Sequence, residues 1–460
     1  MRHRSVRYCF VFSLFLFHSP MAWAYFDPGS GGYLISSILP AIGSFFAFVL
    51  AAATYFFRNF FVKEFQRSFL NHRPLFLGVI LIISCFLGAA AASCILRPAP
   101  DKLPFEQFLT GAHVVDKTLV SPGYNLFDGK LMDNDGHIIR AWSDIDHADL
   151  GVLDTNGDYY AQKHRHRGWG RYTWDDRTVW KKKEYIHHEI LLTPQNTVIV
   201  LGQEIHPYNG QWLSFDTIEE FNKDGILLRK YSIWDHLQEF QKFHQALESD
   251  MPDLAAFLLK KKITPPPHYL DKLNSYYHLN MVSLLPHNSL EGSYPMFHEG
   301  NWLISFRHGS MMFIIDRDTQ KILWHAIDDQ VPGRLEGQHS PLMLPNGHIL
   351  VFDNGRYRGW SRLIEIDPLT LKILWEYKAD GFYSKSAGFV QKLPNNDLLV
   401  TESNKGRVFE LTLDKKIVWE YYDPRHVDPQ DEDETNIDGR HEIYAMHRYP
   451  LEMIDPLLKR

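Results

Sequence analysis

The chain contains very little cysteine. Of its 460 residues only three are cysteines, and Cys9, Cys85 and Cys94 all lie within the first hundred residues. The rest of the sequence therefore has no disulfide, no cysteine-ligated metal and no thiol nucleophile. A positive charge excess is also absent: the formal net charge is -7, which gives no case for nucleic-acid binding. The 45% hydrophobic content excludes a disordered chain, and the 14% aromatic content, with 12 tryptophans, suits a β-rich protein.

Long apolar runs occur only near the N-terminus. Basic "MRHRSVR", apolar "YCFVFSLFLF" and small-residue "AWA" predict a signal peptide or first membrane segment over residues 1–24. Apolar stretches at about 34–57 and 74–96 predict a membrane anchor of two transmembrane helices within 25–97. The loop between them is basic, so we expect the C-terminal part on the periplasmic, extracytoplasmic side of the inner (cytoplasmic) membrane. "RPAPDKLP" predicts a linker over 98–116.

A hairpin motif recurs along the C-terminal part. "HEILLTPQNTVIVLG" aligns with "HSPLMLPNGHILVFD", and "GFVQKLPNNDLLVTE" keeps the same register without the histidine. "HLNMVSLLPHN" and "HADLGVLDTNGDYYA" follow the same pattern with two more residues, and "HEIYAMHRYP" begins it near the end of the sequence. A second motif alternates with the first: two strands joined by a polar turn, the second ending in Trp, as in "LIEIDPLTLKILWEY" and "EEFNKDGILLRKYSIW". Each motif occurs six times.

This alternation predicts the fold class. Two hairpins make a four-stranded blade, so six pairs predict an all-β, six-bladed β-propeller over 117–460, preceded by the α-helical membrane anchor. The segment 119–142 would complete the last blade with the C-terminal strand, so that pairing of N- and C-terminal strands closes the ring. A helical pattern at about 235–277 predicts an insertion between the second and third blades. An all-β sandwich with coincidental spacing is the alternative.

The repeat places several histidines at equivalent positions. The first strand of each blade lines the central channel, and a residue at its start points to one mouth of that channel. The register gives this position to five residues: His147, His188, His278, His339 and His441. Clustered imidazoles gain little from burial unless they are used, so the set predicts a functional pocket.

Polar and cationic residues are expected to join the histidines. Asn280 shares the strand face of His278, while Arg307, Arg362 and Arg407 lie at strand ends that return to the same mouth. Cations beside imidazoles favour an anion site. Metal binding is the rival interpretation, but few carboxylates accompany the histidines, and we expect no metal.

The motifs resemble those of a known family. "HHEILL", "HLN", "SFRHGS", "GQHSPLMLPNGHILVFDNG", "SRLIEIDPLTLKILWEY" and "ESNKGRVFEL" look like the motifs of the bacterial arylsulfate sulfotransferase family, in the same order, over roughly residues 117–450. Members of that family are extracytoplasmic six-bladed propellers. The resemblance implies a transferase that moves a sulfuryl group from an aryl sulfate to a phenolic or other hydroxyl acceptor. The two predicted transmembrane helices depart from the soluble members of the family.

The resemblance also implies roles for individual residues. His339 matches the nucleophile that is transiently sulfated, His278 and Asn280 match the "HxN" motif, and Arg307 matches the arginine of the "RH" pair. Of the adjacent histidines at 187 and 188, the repeat register selects His188 as the remaining channel histidine. Arg307 and Asn280 would hold the sulfonate oxygens, while His278 and His188 would protonate the leaving phenolate and deprotonate the acceptor. We expect ping-pong transfer without a cofactor or nucleotide sulfate donor.

Two other functions remain open from the sequence. One is a non-catalytic propeller that binds a glycan or protein partner of the cell envelope, because a fold does not fix a function. The other is a quinoprotein-like dehydrogenase, whose propellers share the Trp-ending hairpin, although six blades and the absence of an adjacent cysteine pair argue against it. The donor, the acceptor and the oligomeric state are not determined by the sequence.

Overall fold

The structure describes most of the region in which the alternating segments predict strands. In a computed structural model, the described residues are 109–143, 150–162, 168–244, 262, 275–427 and 439–460. The predicted signal segment, the membrane anchor, most of the linker, most of the helical insertion, and His147 therefore lie outside the described residues. Among the residues described, no helix is long and apolar enough to cross a membrane.

Twenty-five strands are present in the described ranges. The first twelve are β1 (Gly111–Val114), β2 (Tyr124–Phe127), β3 (Lys130–Met132), β4 (Ile138–Ala141), β5 (Gly151–Leu153), β6 (Tyr159–Gln162), β7 (Trp169–Tyr172), β8 (Thr178–Lys182), β9 (Ile186–Leu192), β10 (Thr197–Tyr208), β11 (Gln211–Asn222) and β12 (Leu227–Ser232). Short helix α1 (Leu237–Phe240) follows. The remaining strands are β13 (Leu279–Leu284), β14 (Trp302–Phe306), β15 (Met311–Ile315), β16 (Ile322–Ala326), β17 (His339–Met343), β18 (Ile349–Asp353), β19 (Arg362–Ile366), β20 (Ile373–Tyr377), β21 (Phe389–Lys392), β22 (Leu398–Glu402), β23 (Arg407–Leu411), β24 (Ile417–Tyr422) and β25 (His447–Tyr449). Helix α2 (Leu451–Leu458) ends the chain.

The strands form six antiparallel sheets, one for each predicted blade. Five sheets follow chain order: β5–β8, β9–β12, β13–β16, β17–β20 and β21–β24. The sixth has the order β25-β2-β3-β4, so the C-terminal strand pairs with the N-terminal segment. The six-bladed propeller and its closure by the two chain ends are confirmed.

The β21–β24 blade has a fifth strand that the sequence pattern did not reveal. Strand β1 pairs with the outer strand β24, from Gly111 opposite Tyr422 to Val114 opposite Trp419. The linker predicted over 98–116 therefore includes strand residues at its end. The chain leaves β1 on one blade and enters β2 on the next, so the first two strands of the described residues belong to these two blades.

The hydrophobic core lies between the blades. Six clusters of buried side chains each combine residues from two neighbouring sheets. In one, Leu237 and Phe240 of α1 pack with Phe306 and Phe313, so the described start of the insertion is helical and covers a blade interface. In another, Ile454 and Leu457 of α2 join the closing blade.

A ring of hydrogen bonds connects each outer strand to the next blade. At five interfaces a tryptophan indole N–H donates to a carbonyl in the next blade's outer turn: Trp142 to Thr173 (3.2 Å), Trp180 to Lys223 (2.8 Å), Trp324 to Pro368 (2.8 Å), Trp375 to Leu413 (3.0 Å) and Trp419 to Asn134 (2.7 Å). The Trp-ending hairpins therefore hold neighbouring blades in register.

The sixth interface uses an arginine in place of the tryptophan. The sequence pattern assigns this role to Trp234, but Trp234 lies beyond the end of β12 and stacks on His206 at 4.3 Å. Arg229, opposite Glu220 in the ladder, instead donates to the carbonyl of Arg317 in the next blade. A guanidinium can make this bond because it, too, presents planar N–H donors.

Closure of the ring includes a buried ion pair. Arg448 of β25 is 3% exposed, pairs with Glu410 of the neighbouring blade, and donates from Nε to Asn125 at 2.7 Å. Removing one partner leaves a buried charge without compensation, which typically costs about 3–5 kcal/mol.

Arg448→Ala should therefore lower the free energy of unfolding by about 3–5 kcal/mol. Arg177→Ala is the control, because Arg177 and Asp175 form an exposed pair, with side-chain exposures of 76% and 60%, and such pairs contribute about 0–1 kcal/mol. Urea unfolding followed by tryptophan fluorescence measures both. Equal effects of the two substitutions would contradict the role given to Arg448.

Candidate active site

A cavity lies on the propeller axis, with residues from all six blades in its wall. Its walls include Asp128, Gly151, His188, Glu189, Asn280, His339, Ser340, Phe389, Tyr444 and His447. Because the innermost strand of every blade contributes, only the closed ring forms this cavity.

β-Bulges shape the inner strands where they meet the cavity. In β9, His187 pairs with Leu201 and Ile190 pairs with Val200, so His188 and Glu189 have no cross-strand partner. The register also shifts after Leu279 in β13 and after His339 in β17. A bulge interrupts the alternation of side chains and redirects them, which here lets consecutive residues line the cavity.

Left-handed backbone accompanies these bulges. His188, His278 and Ser340 have φ of 61°, 56° and 51°, which non-glycine residues adopt at a cost of about 1–2 kcal/mol each. Three residues with an unfavourable backbone conformation thus lie at adjacent inner strands. Such clusters are typical of functional sites, where the position of a side chain matters more than local stability.

The hydrogen bonds of His339 define its tautomer. Its Nδ1 lies 2.9 Å from the carbonyl oxygen of Gly337 and 2.8 Å from Oδ1 of Asn354. The Asn354 amide nitrogen donates to the carbonyls of Ser384 (2.8 Å) and Ala387 (2.6 Å), which fixes its oxygen toward His339. With two acceptors at Nδ1, the proton must be there. The Nε2 atom of His339 is therefore the unprotonated nitrogen.

Asn354 is a site residue that the sequence interpretation missed. It lies in the "DNG" turn after β18, which reads as a generic turn signal. Its place in "LPNGHILVFDNG", part of a motif that resembles the arylsulfate sulfotransferase family, was the available signal. Gln338 was also missed: it is fully buried, and its amide nitrogen donates to Ser305 Oγ and to the Phe306 and Met311 carbonyls, which anchors the start of β17.

A chain of imidazoles lies beside His339. Nε2 of His278 is 3.2 Å from Nε2 of His188, and Nδ1 of His188 is 2.5 Å from Nδ1 of His187. His187 reaches the buried carboxylate of Asp216, with Nε2 3.4 Å from Oδ1. The rings of His188 and His339 are stacked with centroids 6.3 Å apart. The structure thus brings His188, His278 and His339 together, and His187 supports them from behind.

The site keeps its histidines neutral. Burial lowers the pKa of His339 to about 4 and moves the pKa of His188 and His278 well below the usual value. Neighbouring imidazoles lower the pKa of His188 and His278 further, and the charge of Arg307 lowers the pKa of all three. A neutral imidazole retains its nucleophilic lone pair.

Arg307 and Asn280 occupy the positions that the sequence pattern predicts near the histidines. Arg307 follows β14, and its backbone N–H donates to the carbonyl of His278 at 3.0 Å. Asn280 is 3% exposed and donates from its amide nitrogen to the Gln338 carbonyl at 2.7 Å. Its Oδ1 is buried and has no hydrogen-bond partner among the described residues.

Two arginines that the sequence analysis placed at the channel mouth pair with carboxylates of their own blades. Arg362 is 4% exposed and donates to Asp353 (2.8 Å), Glu376 (3.2 Å) and the carbonyls of Pro332 and Arg334. Arg407 pairs with two carboxylates, Glu402 and Glu420. Both guanidiniums connect strands within their own blades and do not line the axial cavity.

The last histidine position differs from the sequence prediction. His441 precedes the inner strand β25 by six residues, is half-buried, and has its Nδ1 3.1 Å from the Glu442 carbonyl oxygen. His447 begins β25 and lines the cavity, and burial lowers its pKa to about 4. "HEIYAMHRYP" contains both histidines, and spacing alone selected the wrong one as the start of the strand.

Groups that could hold a metal lie away from the axis. Among the residues described, two sets have ligand atoms within 4.8 Å of each other: Asp133, Asp135 and His137, and His287, Glu291 and Glu299. Most of these side chains are exposed, and such groups are common on surfaces without a metal. The channel histidines within the described ranges do not form such a set.

The fold and the cavity define a class: a six-bladed β-propeller whose buried histidines converge on the channel axis. A family model narrows the class further. The model described as arylsulfotransferase (ASST) matches residues 131–423, well over half of the chain. The chain therefore belongs to the arylsulfotransferase family, and the resemblance of its motifs is confirmed.

Comparisons with individual proteins give matches of low identity. No curated protein matches the chain. A Bacteroides caccae protein of unknown function is 15% identical, with a TM-score of 0.42, covering 71% of this chain and 98% of that one. A virginiamycin B lyase from Staphylococcus aureus is 12% identical, with a TM-score of 0.34, covering 65% and 83%. Identities this low carry no information on activity.

Glu189 gives the site a measurable pH signature. Burial raises the pKa of this 7%-exposed carboxyl to about 8 from an ordinary value of 4.5. A raised folded-state pKa contributes stability that is complete below pH 4.5 and is lost as the pH rises through 8. The neutral histidines have the opposite sign, because their lowered pKa makes them lose stability as the pH falls below about 6.5.

We therefore compare the free energy of unfolding of the wild-type protein with that of Glu189→Gln. Between pH 5 and pH 8, the wild-type value should fall relative to the variant's by up to about 1.4 kcal/mol per pH unit. Subtracting the two curves removes the histidine contribution, which both proteins share. Denaturant unfolding at several pH values measures the difference. Glu184→Gln, at a half-exposed position just before β9, should give a flat difference. A flat difference for Glu189→Gln as well would contradict the buried neutral acid.

Proposed function

We propose that this chain is an aryl sulfotransferase that works through a sulfohistidine intermediate. It takes a sulfuryl group from an aryl sulfate onto His339 and passes it to a phenolic or other hydroxyl acceptor, without a nucleotide sulfate donor. Family membership supports the reaction class. One observation carries the residue assignment: His339 bears its proton at Nδ1, between Gly337 and Asn354, so Nε2 has an available lone pair.

The chemistry of sulfuryl transfer fits the other residues. As in phosphoryl transfer, the transferred group passes between nucleophile and leaving group in line, with negative charge on its outer oxygens. The Arg307 guanidinium supplies positive charge beside His188, His278 and His339, where it can stabilise that charge. The unpartnered oxygen of Asn280 is an acceptor that a substrate hydroxyl would satisfy.

The same proposal includes a location. The predicted helices within 25–97 would anchor the chain in the cytoplasmic membrane, with the propeller on the extracytoplasmic side. The basic loop between the two apolar stretches supports this orientation. Nucleotide sulfate donors are not expected on that side, whereas aryl sulfates can diffuse to it, and this agrees with a cofactor-free transfer.

Incubation of the protein with 4-nitrophenyl sulfate should yield a sulfated form in intact-mass analysis, and His339→Asn should abolish both sulfation and turnover. Loss of the nucleophile removes the covalent step entirely. His287→Asn, at a position whose side chain is 83% exposed, is the matched control and should remain fully active. Turnover retained in His339→Asn would refute the mechanism, and wild-type protein that is never sulfated would favour a non-catalytic propeller.

Arg307→Gln should slow sulfation of His339 by about 100- to 1000-fold, because it removes a fixed positive charge from the oxygens of the transferred group. Arg307→Lys should recover part of that loss, because the charge remains although the planar donors do not. Arg334→Gln is the control, since Arg334 is exposed and pairs with Asp328. Single-turnover kinetics measure all three, and an unchanged rate in Arg307→Gln would exclude this role.

A further inference from the structure

Glu189 enters the cavity because of the bulge in β9. His187 and Ile190 are the nearest residues of that strand with cross-strand partners, so His188 and Glu189 occupy the bulge as neighbours. Both line the axial cavity together with His339. In a regular strand, consecutive side chains point to opposite faces. The bulge thus brings Glu189 to the wall of the cavity that the proposed nucleophile also lines.

The carboxyl of Glu189 is buried without a counter-charge. Among the residues described, it forms no ion pair or side-chain hydrogen bond, and only the backbone of Ile190 opposes the effect of burial on its pKa. A buried carboxylate without a cation is costly, and burial raises the pKa of Glu189 to about 8. At neutral pH this residue is therefore a carboxylic acid that carries a transferable proton.

The other titratable groups around the cavity are less suited to donate a proton. His188, His339 and His447 have a lowered pKa and are neutral, and Asp128 pairs with Arg425. Nε2 of His188 is engaged with Nε2 of His278 at 3.2 Å. Tyr444 also lines the cavity, but a phenol is a much weaker acid than a carboxyl group.

We infer that Glu189 is the acid–base residue of the proposed transfer: it protonates the departing phenolate and later accepts the proton of the incoming hydroxyl. This inference rests on the proposed function and assigns to Glu189 the role that the resemblance gave to His278 and His188. The observations that carry it are the bulge, the shared cavity with His339, and the buried carboxyl without a cation.

The two half-reactions balance with a single proton. In the first, the bond between His339 Nε2 and sulfur forms, the aryl oxygen–sulfur bond breaks, and the phenolate takes the electron pair and then the Glu189 proton. In the second, the acceptor oxygen attacks sulfur while its proton passes to the Glu189 carboxylate. The electron pair of the nitrogen–sulfur bond returns to Nε2, and the acid is restored.

The test varies the leaving group. Glu189→Gln keeps the size and polarity of the side chain but cannot donate the proton, so its effect should depend on how strongly the leaving phenolate needs one. With 4-methylphenyl sulfate, a basic leaving group, the single-turnover rate of His339 sulfation should fall about 100-fold or more. With 4-nitrophenyl sulfate, whose phenolate leaves readily without a proton, it should fall less than about 10-fold.

Controls separate this role from a structural one. Glu189→Asp keeps the acid and should recover part of the rate with 4-methylphenyl sulfate, whereas Glu184→Gln should change neither rate. Equal losses with both donors, or no loss with either, would overturn the inference. If wild-type protein sulfates His339 but Glu189→Gln shows no dependence on the leaving group, only this inference fails. If wild-type protein is never sulfated, the proposed function itself fails.

Discussion

The hydrogen bond from each outer strand to the next blade's outer turn is the interaction on which the rest of the structure depends. Five tryptophans and Arg229 make it, and together they connect all six blades. The hydrophobic core is divided into layers between neighbouring blades, so a blade that lost its register would disturb two layers. The axial cavity has no wall of its own. It exists because the inner strands of all six blades surround it, and β25 completes the circle by pairing with β2.

Within that ring, bulges in the inner strands decide which side chains line the cavity. Regular inner strands would present alternate residues to the channel, whereas the bulges of β9, β13 and β17 bring consecutive or shifted residues to its wall: His188, Glu189, Asn280 and Ser340. The surrounding burial sets the protonation states: the imidazoles are neutral and the carboxyl retains its proton. A neutral imidazole at His339 and a neutral acid at Glu189 need no counter-ion, which suits the anionic group of the proposed transfer.

Sequence patterns predicted the architecture well because a propeller repeats its local signals. Hydrophobic alternation, turn residues and terminal tryptophans recur in each blade, so errors in one copy are corrected by the others. Predictions that depended on one copy of a motif were wrong where an irregularity shifts that copy's register. Trp234 ends its motif, yet Arg229 occupies the interface position, and His441 begins its motif, yet His447 begins the strand. Arg362 and Arg407 fit the expected strand ends, but carboxylates within their own blades engage them.

The sequence by itself determined the six-bladed fold, its closure by the two chain ends, and His188, His278 and His339 as a set, since these follow from periodicity and from motifs shared with arylsulfotransferases. Only the tertiary structure decided which nitrogen of His339 is unprotonated, because Asn354, which follows β18, has to meet Nδ1 of His339 beside the local carbonyl of Gly337. It likewise brought Glu189 into the cavity. A bulge is a property of two paired strands, and the pKa of a buried group depends on everything that excludes water from it, so neither can be read from one strand alone.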